Sequence, residues 1–166
     1  MWVAVGIPSL RDHEYDTSNL GPGRNMRETL LAYAAGLIDG EGTVTLTRQA
    51  KNEHRAPIVS VTSTTPELLR YLRVLFGGAL CVHHRGTKKH SASWNWRIQH
   101  NRALRALALV YPYMREKEKR RRVRLLLNGY ARVTARNGKY NKRLDRRRKR
   151  FEDLFFKHSR SPVLAL

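Results

Sequence analysis

The hydrophobic period of this chain changes abruptly across four residues, Asp39-Gly40-Glu41-Gly42. Before them, residues 27–38 (RETLLAYAAGLI) form a strongly helical, mostly apolar run. After them, Thr43 to Arg48 alternates Thr with Val and Leu, the pattern of a strand with one buried face. A helix is thereby joined to a strand through an acidic turn. Ala32, Gly36 and Gly40 recur every fourth residue and share one helical face. Small side chains at that spacing let two helix backbones approach closely. Asp39 and Glu41 sit where helix meets strand, and a carboxylate beside exposed carbonyls suits a hard divalent cation. The residues alone leave two readings open: a buried helix followed by a polar turn, or a cation site.

Further along, Ile58 to Thr62 reads as a second strand, antiparallel to the first. Thr64-Thr65-Pro66-Glu67 resembles a helix start, with Thr64 as cap. Leu68, Leu69, Leu72, Leu75 and Phe76 supply an apolar face, and Gly77-Gly78 stops the helix. Ala79 to His84 and Ser93 to Gln99 are the third and fourth strands. Asn101 is placed to cap a helix that Pro112 ends, a long helix is expected from about 114 to 134, and a last one to about 158. The order αββαββα plus C-terminal helices defines an α+β fold, a four-stranded antiparallel sheet with helices on one face. The expected organisation is an N-terminal arm at 1–25, a core at 26–134 and a C-terminal helical extension at 135–166.

The net charge of +20 on 166 residues points to a polyanionic partner, with nucleic acid ahead of an anionic membrane. The charge is concentrated. Residues 114–150 carry 17 basic and 3 acidic side chains, a net of +14. Apolar residues recur through this stretch at helical spacing, so the charges decorate packed helices, not a tail. One cysteine, Cys81, excludes an intramolecular disulfide framework. No apolar run approaches the roughly 20 residues that span a bilayer. The N-terminus lacks the pattern of a secretory signal, and an intracellular protein is expected, in the cytoplasm or nucleoid of a prokaryote or in an organelle matrix.

The segment Tyr33-Ala34-Ala35-Gly36-Leu37-Ile38-Asp39-Gly40-Glu41-Gly42 resembles the signature of the LAGLIDADG homing endonucleases. Ala34 stands at the family's first Leu, Ala35 to Asp39 match directly, Gly40 replaces Ala, and Glu41 replaces the second Asp. The element order matches too, as do the Gly77-Gly78 break and the series Pro112-Tyr113, Lys117, Arg120. The resemblance covers roughly residues 27–134. It implies a DNA endonuclease that uses a divalent cation, Mg2+ or another such as Mn2+. A single motif copy implies a homodimer, with Ala32, Tyr33, Gly36 and Gly40 at the interface and a near-palindromic double-stranded DNA site.

On this resemblance Glu41 is the main metal ligand, and the Gly40 carbonyl adds a second oxygen. Asp39 either braces the motif or joins the metal shell. Lys117 matches a family residue that binds the phosphate or the attacking water. Ser63 falls closest to the family's water-positioning group, Thr62 next, and Arg70 is a candidate active-site arginine. The open sheet face is expected to contact DNA through Thr43, Thr45, Thr47, Gln49 and Lys51, then His54 and Ser60, then His83 and Arg85, then Ser93, Asn95 and Arg97. Lys88 is expected on phosphate. Adjacent His83 and His84 point to opposite strand faces, which argues against zinc. Two rival readings stay open: an intron maturase that binds intron RNA on the same scaffold, and a DNA-binding protein without catalysis.

Overall fold

Helix α1 (Met26–Glu41) does not stop at Ile38; it runs through the acidic segment, and strand β1 (Gly42–Thr47) begins at the next residue. The expected four-residue turn is absent, and Gly42 is what removes it. A Cβ on Gly42 would lie 2.5 Å from the Ile38 carbonyl oxygen and 2.7 Å from Ile38 Cα. Only glycine lets the strand leave this close to the helix backbone.

The computed structural model describes residues 26–48, 50, 53–87, 91–135 and 139–157. The arm expected at 1–25, and Gln49, Lys51 and Lys88 among the predicted site residues, lie outside them. After β1 come β2 (Ala56–Ser63), α2 (Pro66–Phe76), β3 (Ala79–His84), β4 (Ser93–Gln99) and α3 (His100–Val110). The strands form one antiparallel sheet in the order β1-β2-β4-β3. Alternate strand residues (Val44, Leu46, Val59, Val61, Trp96, Ile98) are buried together with Leu31, Ala34, Ala35 and Ile38 of α1 and Leu69 and Leu72 of α2. The α+β fold therefore matches the one expected from the order of elements.

Three local expectations change. The N-cap of α2 is Thr65, not Thr64, and it makes no side-chain cap bond; Ser63 Oγ instead accepts the Thr65 N–H at 3.0 Å. Helix α3 starts at His100, so Gln99 and not Asn101 is its N-cap. The long helix expected from 114 to 134 is broken. Pro112 sits in a 3-10 turn at Tyr111–Tyr113, and an extended Met114 follows. Helix α4 (Lys117–Leu125) is followed by a π-helical turn at Leu126–Tyr130 and a 3-10 turn at Ala131–Val133. Glu116 caps α4, accepting the N–H groups of Glu118 and Lys119.

Helix α5 (Lys142–Lys157) folds back onto the same core. Phe155 is fully buried, and a buried Phe contributes roughly 1.5–3 kcal/mol. Phe151 packs edge-on against Tyr130 in the π-helical turn. Among the described residues no helix is long and apolar enough to cross a membrane.

Candidate active site and nucleic-acid interface

The candidate site is built from the end of α1 and the segment 115–119. Asp39 Oδ2 accepts the backbone N–H of Arg115 at 2.5 Å and of Glu116 at 3.2 Å. This carboxylate is committed to holding the entry to α4 against α1, which is the bracing arrangement. Its other oxygen, Oδ1, is buried without a partner among the described residues. Lys119 Nζ donates to the Ile38 carbonyl at 3.1 Å and to the Asp39 carbonyl. A cation at the C-terminal end of a helix meets the negative end of its dipole and its unpaired carbonyls.

Glu41 is left differently. It is the last residue of α1, exposed, and makes no hydrogen bond or ion pair among the described residues. Gly40 is exposed beside it. No group of three or more His, Cys, Asp or Glu side chains that could hold a metal exists among the described residues. The described residues thus offer a hard cation one carboxylate and carbonyl oxygen at the helix end. That donor set suits a hard divalent cation only when further oxygens join it.

Lys117 opens α4, exposed and without a side-chain hydrogen bond among the described residues, on the segment that Asp39 and Lys119 tie to α1. Ser63 ends β2 two residues past Val61, the partner of Gly42, so it stands at the same end of the sheet as Glu41. Arg70 pairs with Glu67 of its own helix at 3.0 Å on the surface, and nothing ties it to the motif.

The residues between the buried ones line the opposite sheet face. Thr43, Thr45 and Thr47 of β1 stand opposite Ser60, Ile58 and Ala56 of β2, and Ser60 and Thr62 stand opposite Arg97 and Asn95 of β4. Asn95 Nδ2 donates to Thr62 Oγ1 at 2.8 Å. This leaves a polar surface with one exposed cation, Arg97, among its paired residues. In β3 the register slips between Val82 and His84, so His84, not His83, stands opposite Ser93. Arg85 is exposed just beyond the strand. His54 leaves the expected set: it is half-buried, 3.4 Å from Asp145 and with its ring 4.0 Å from that of Tyr140.

Much of the concentrated charge is structural. Arg120 donates to the Tyr111 and Met114 carbonyls, Arg121 and Arg122 to Glu118, and Arg122 also to the Val44 carbonyl. The Arg121 hydrogen bond holds the Glu118 carboxyl well below its ordinary range, at about 2. Sequence reasoning missed Lys119 because it lies two residues from Lys117 in a basic run, and composition does not tell which lysine turns toward α1. It also missed Arg148 and Glu152, although their i,i+4 spacing announces a pair.

The fold is that of the LAGLIDADG homing endonucleases. The homing endonuclease I-CvuI, in complex with its target in the presence of calcium, matches with a TM-score of 0.62 at 13% identity, over 84% of this chain and 88% of that one. The archaeal intron-encoded homing endonuclease I-Vdi141I, complexed with DNA, matches at 0.53 and 15% identity, over 82% of this chain and 87% of that one. I-SmaMI, bound to uncleaved DNA target in the presence of calcium ions, matches at 0.56 and 20% identity, over 77% of this chain but 45% of that chain. No protein-family model matches the chain, and no curated protein matches it.

Proposed function

We propose that the protein is a LAGLIDADG-type homing endonuclease that makes a double-strand break in a long, near-palindromic DNA site as a homodimer, inside a cell or organelle. One observation carries the reading. Glu41 is an exposed carboxylate, unpartnered among the described residues, held where α1 enters β1, at the rim of a polar sheet face. A protein that only bound DNA would gain nothing from a carboxylate beside phosphates. The fold shared with I-CvuI and I-Vdi141I supports it.

The dimer is supported by the open face of α1. A Cβ on Gly36 or Gly40 meets nothing within 4 Å among the described residues, Ala32 is exposed, and Tyr33 is 51% exposed. Packing this face on its copy across a two-fold axis brings two Glu41 carboxylates together and completes the donor set. Glu41 and the Gly40 carbonyl would hold a divalent cation such as Mg2+ or Mn2+, which when bound would supply Lewis-acid chemistry toward the scissile phosphate and its attacking water. Glu41 provides the charge that localises the cation. Lys117 binds the phosphate, Ser63 orients water, and Asp39 holds α4 in place so that Lys117 stays at the junction. The sheet face reads bases through Thr43, Thr45, Thr47, Ser60, Ser93, Asn95 and Arg97 in the major groove.

The test is Glu41→Gln in a cleavage selection from a randomised palindromic library with Mg2+. Wild type enriches a cut sequence. The variant binds that sequence with similar affinity and does not cut it; a variant that cuts at the wild-type rate overturns the role of Glu41.

A further inference from the structure

Arg148 and Glu152 are the buried charged side chains among the described residues, 1% and 8% exposed, and the endonuclease reading gives them no task. Three guanidiniums converge on the Glu152 carboxylate, those of Arg48, Arg55 and Arg148, at 3.8, 3.4 and 3.3 Å. The Arg55 backbone N–H adds a contact at 3.3 Å. Arg148 also donates to Thr134 Oγ1 at 2.8 Å and to the Arg55 carbonyl, and its guanidinium lies 4.3 Å from the Tyr130 ring centre. Two turns earlier on α5, Asp145 meets His54, which stacks on Tyr140.

The targets of these contacts share one place. Arg48 directly follows β1, and His54 and Arg55 directly precede β2. Helix α5 therefore grips both stems of a single hairpin at the end far from the motif. Arg48 lies seven residues past Glu41, roughly 20 Å along an extended strand. A buried ion network is a poor source of stability, since apolar residues of equal volume often do as well. What it supplies is direction. Hydrogen bonds to the Arg55 N–H and carbonyl fix where the hairpin stem sits on α5, and apolar packing alone would leave it free to slide.

We propose that Arg148 and Glu152 are positioning residues that set the outer end of the DNA-reading sheet, at Thr47 and Ala56, and thereby the base preference at the outer positions of each half-site. They do so without touching DNA. The inference rests on the reading of the sheet face as the DNA-contacting surface. Cleavage at Glu41 is untouched by it.

Two variants test this. Glu152→Gln keeps the shape of the side chain and removes its charge. The double variant R148M/E152L fills the volume with apolar groups and keeps the fold where a single change fails. In the free protein, hydrogen exchange at the Arg55 amide, which donates to Glu152, quickens on the order of tenfold in both variants, with the α1–β1 junction unchanged. In the Mg2+ cleavage selection, preference at the outer base pairs falls on the order of tenfold. Preference at the inner pairs and the single-turnover rate on the saturated best site stay at the wild-type level. Unchanged exchange at Arg55 overturns the clamp. Faster exchange with a uniform loss at every base pair, or with an unchanged profile, overturns the specificity role. Wild-type protein that neither cuts nor retains any sequence overturns the endonuclease reading and the specificity role with it, and exchange still decides the clamp.

Discussion

The Lys119 ammonium donates to the backbone carbonyl of Asp39, 80 residues earlier in the chain. It also reaches the Ile38 carbonyl, whose oxygen is the atom that a side chain at Gly42 would strike. The end of α1 is thus closed by a lysine on one side and by a required glycine on the other. Glu41 is the carboxylate left free between them.

Lys119→Met should destabilise the fold by about 1.5–3 kcal/mol, the range for a lost hydrogen bond to a charged group. Lys117→Met, at an exposed position, should stay within about 0.5 kcal/mol of wild type and lose cleavage. Thermal unfolding together with single-turnover cleavage separates the two. A stable Lys119 variant and an unstable Lys117 variant would exchange their roles.

Gly42→Ala should cost several kcal/mol, because the clash is with backbone of Ile38 that cannot move aside. Gly36→Ala adds a methyl where nothing lies within 4 Å among the described residues, and in this helix interior it should raise the stability of the isolated chain by about 0.5–1 kcal/mol. Its cost should fall on association, since the same methyl separates two α1 helices. Light scattering at a series of concentrations reads this, and a Gly36→Ala protein that dimerises as tightly as wild type counts against packing through that face.

Acid should remove one identifiable contribution to stability. Glu118 has its pKa depressed from 4.5 to about 2 by the Arg121 hydrogen bond, so the folded state binds fewer protons than the unfolded state between those values. The stabilisation is present above pH about 4.5 and is lost as pH falls toward about 2. Its side chain is 36% exposed, and solvent screening holds the effect to about 1 kcal/mol or less. Stability measured against pH in wild type and Glu118→Gln should converge at the acid end of that window.

Affinity for DNA should depend steeply on salt. With about 6–10 phosphates contacted per complex, binding falls by ~10³–10⁵ between 50 and 200 mM salt. Arg97→Gln should alter base preference. Arg121→Gln should lower stability and leave the salt slope alone, because Arg121 is bound to Glu118 and to the Phe155 carbonyl. A reduced slope in Arg121→Gln would place that side chain on phosphate.

Local pattern made much of the sheet legible. The alternation of Thr with Val and Leu assigns Thr43, Thr45 and Thr47 to one face because side chains in a strand alternate strictly. It failed where the chain departs from regular geometry. The register slip in β3 exchanges His83 for His84 opposite Ser93, and no local pattern announces it. Helical periodicity through 114–134 concealed three breaks, since Val123, Leu126, Tyr130 and Val133 are buried at near-helical spacing although they fall in α, π and 3-10 turns.

The order of residues by itself determined the apolar helix up to Ile38, the strand from Thr43, the polar sheet face and the total charge, because each depends on short-range spacing; that the helix runs on to Glu41 was decided by the fold, where Gly42 lets the strand leave against the Ile38 backbone. Only the tertiary structure decided what the charges do. Lys119, Arg120, Arg121, Arg122 and Arg148 look alike in composition and in sequence, yet each is committed to carbonyls or carboxylates up to 93 residues away. An ion pair or a capped carbonyl depends on which chain segments fold together, and that is set by packing of the whole core.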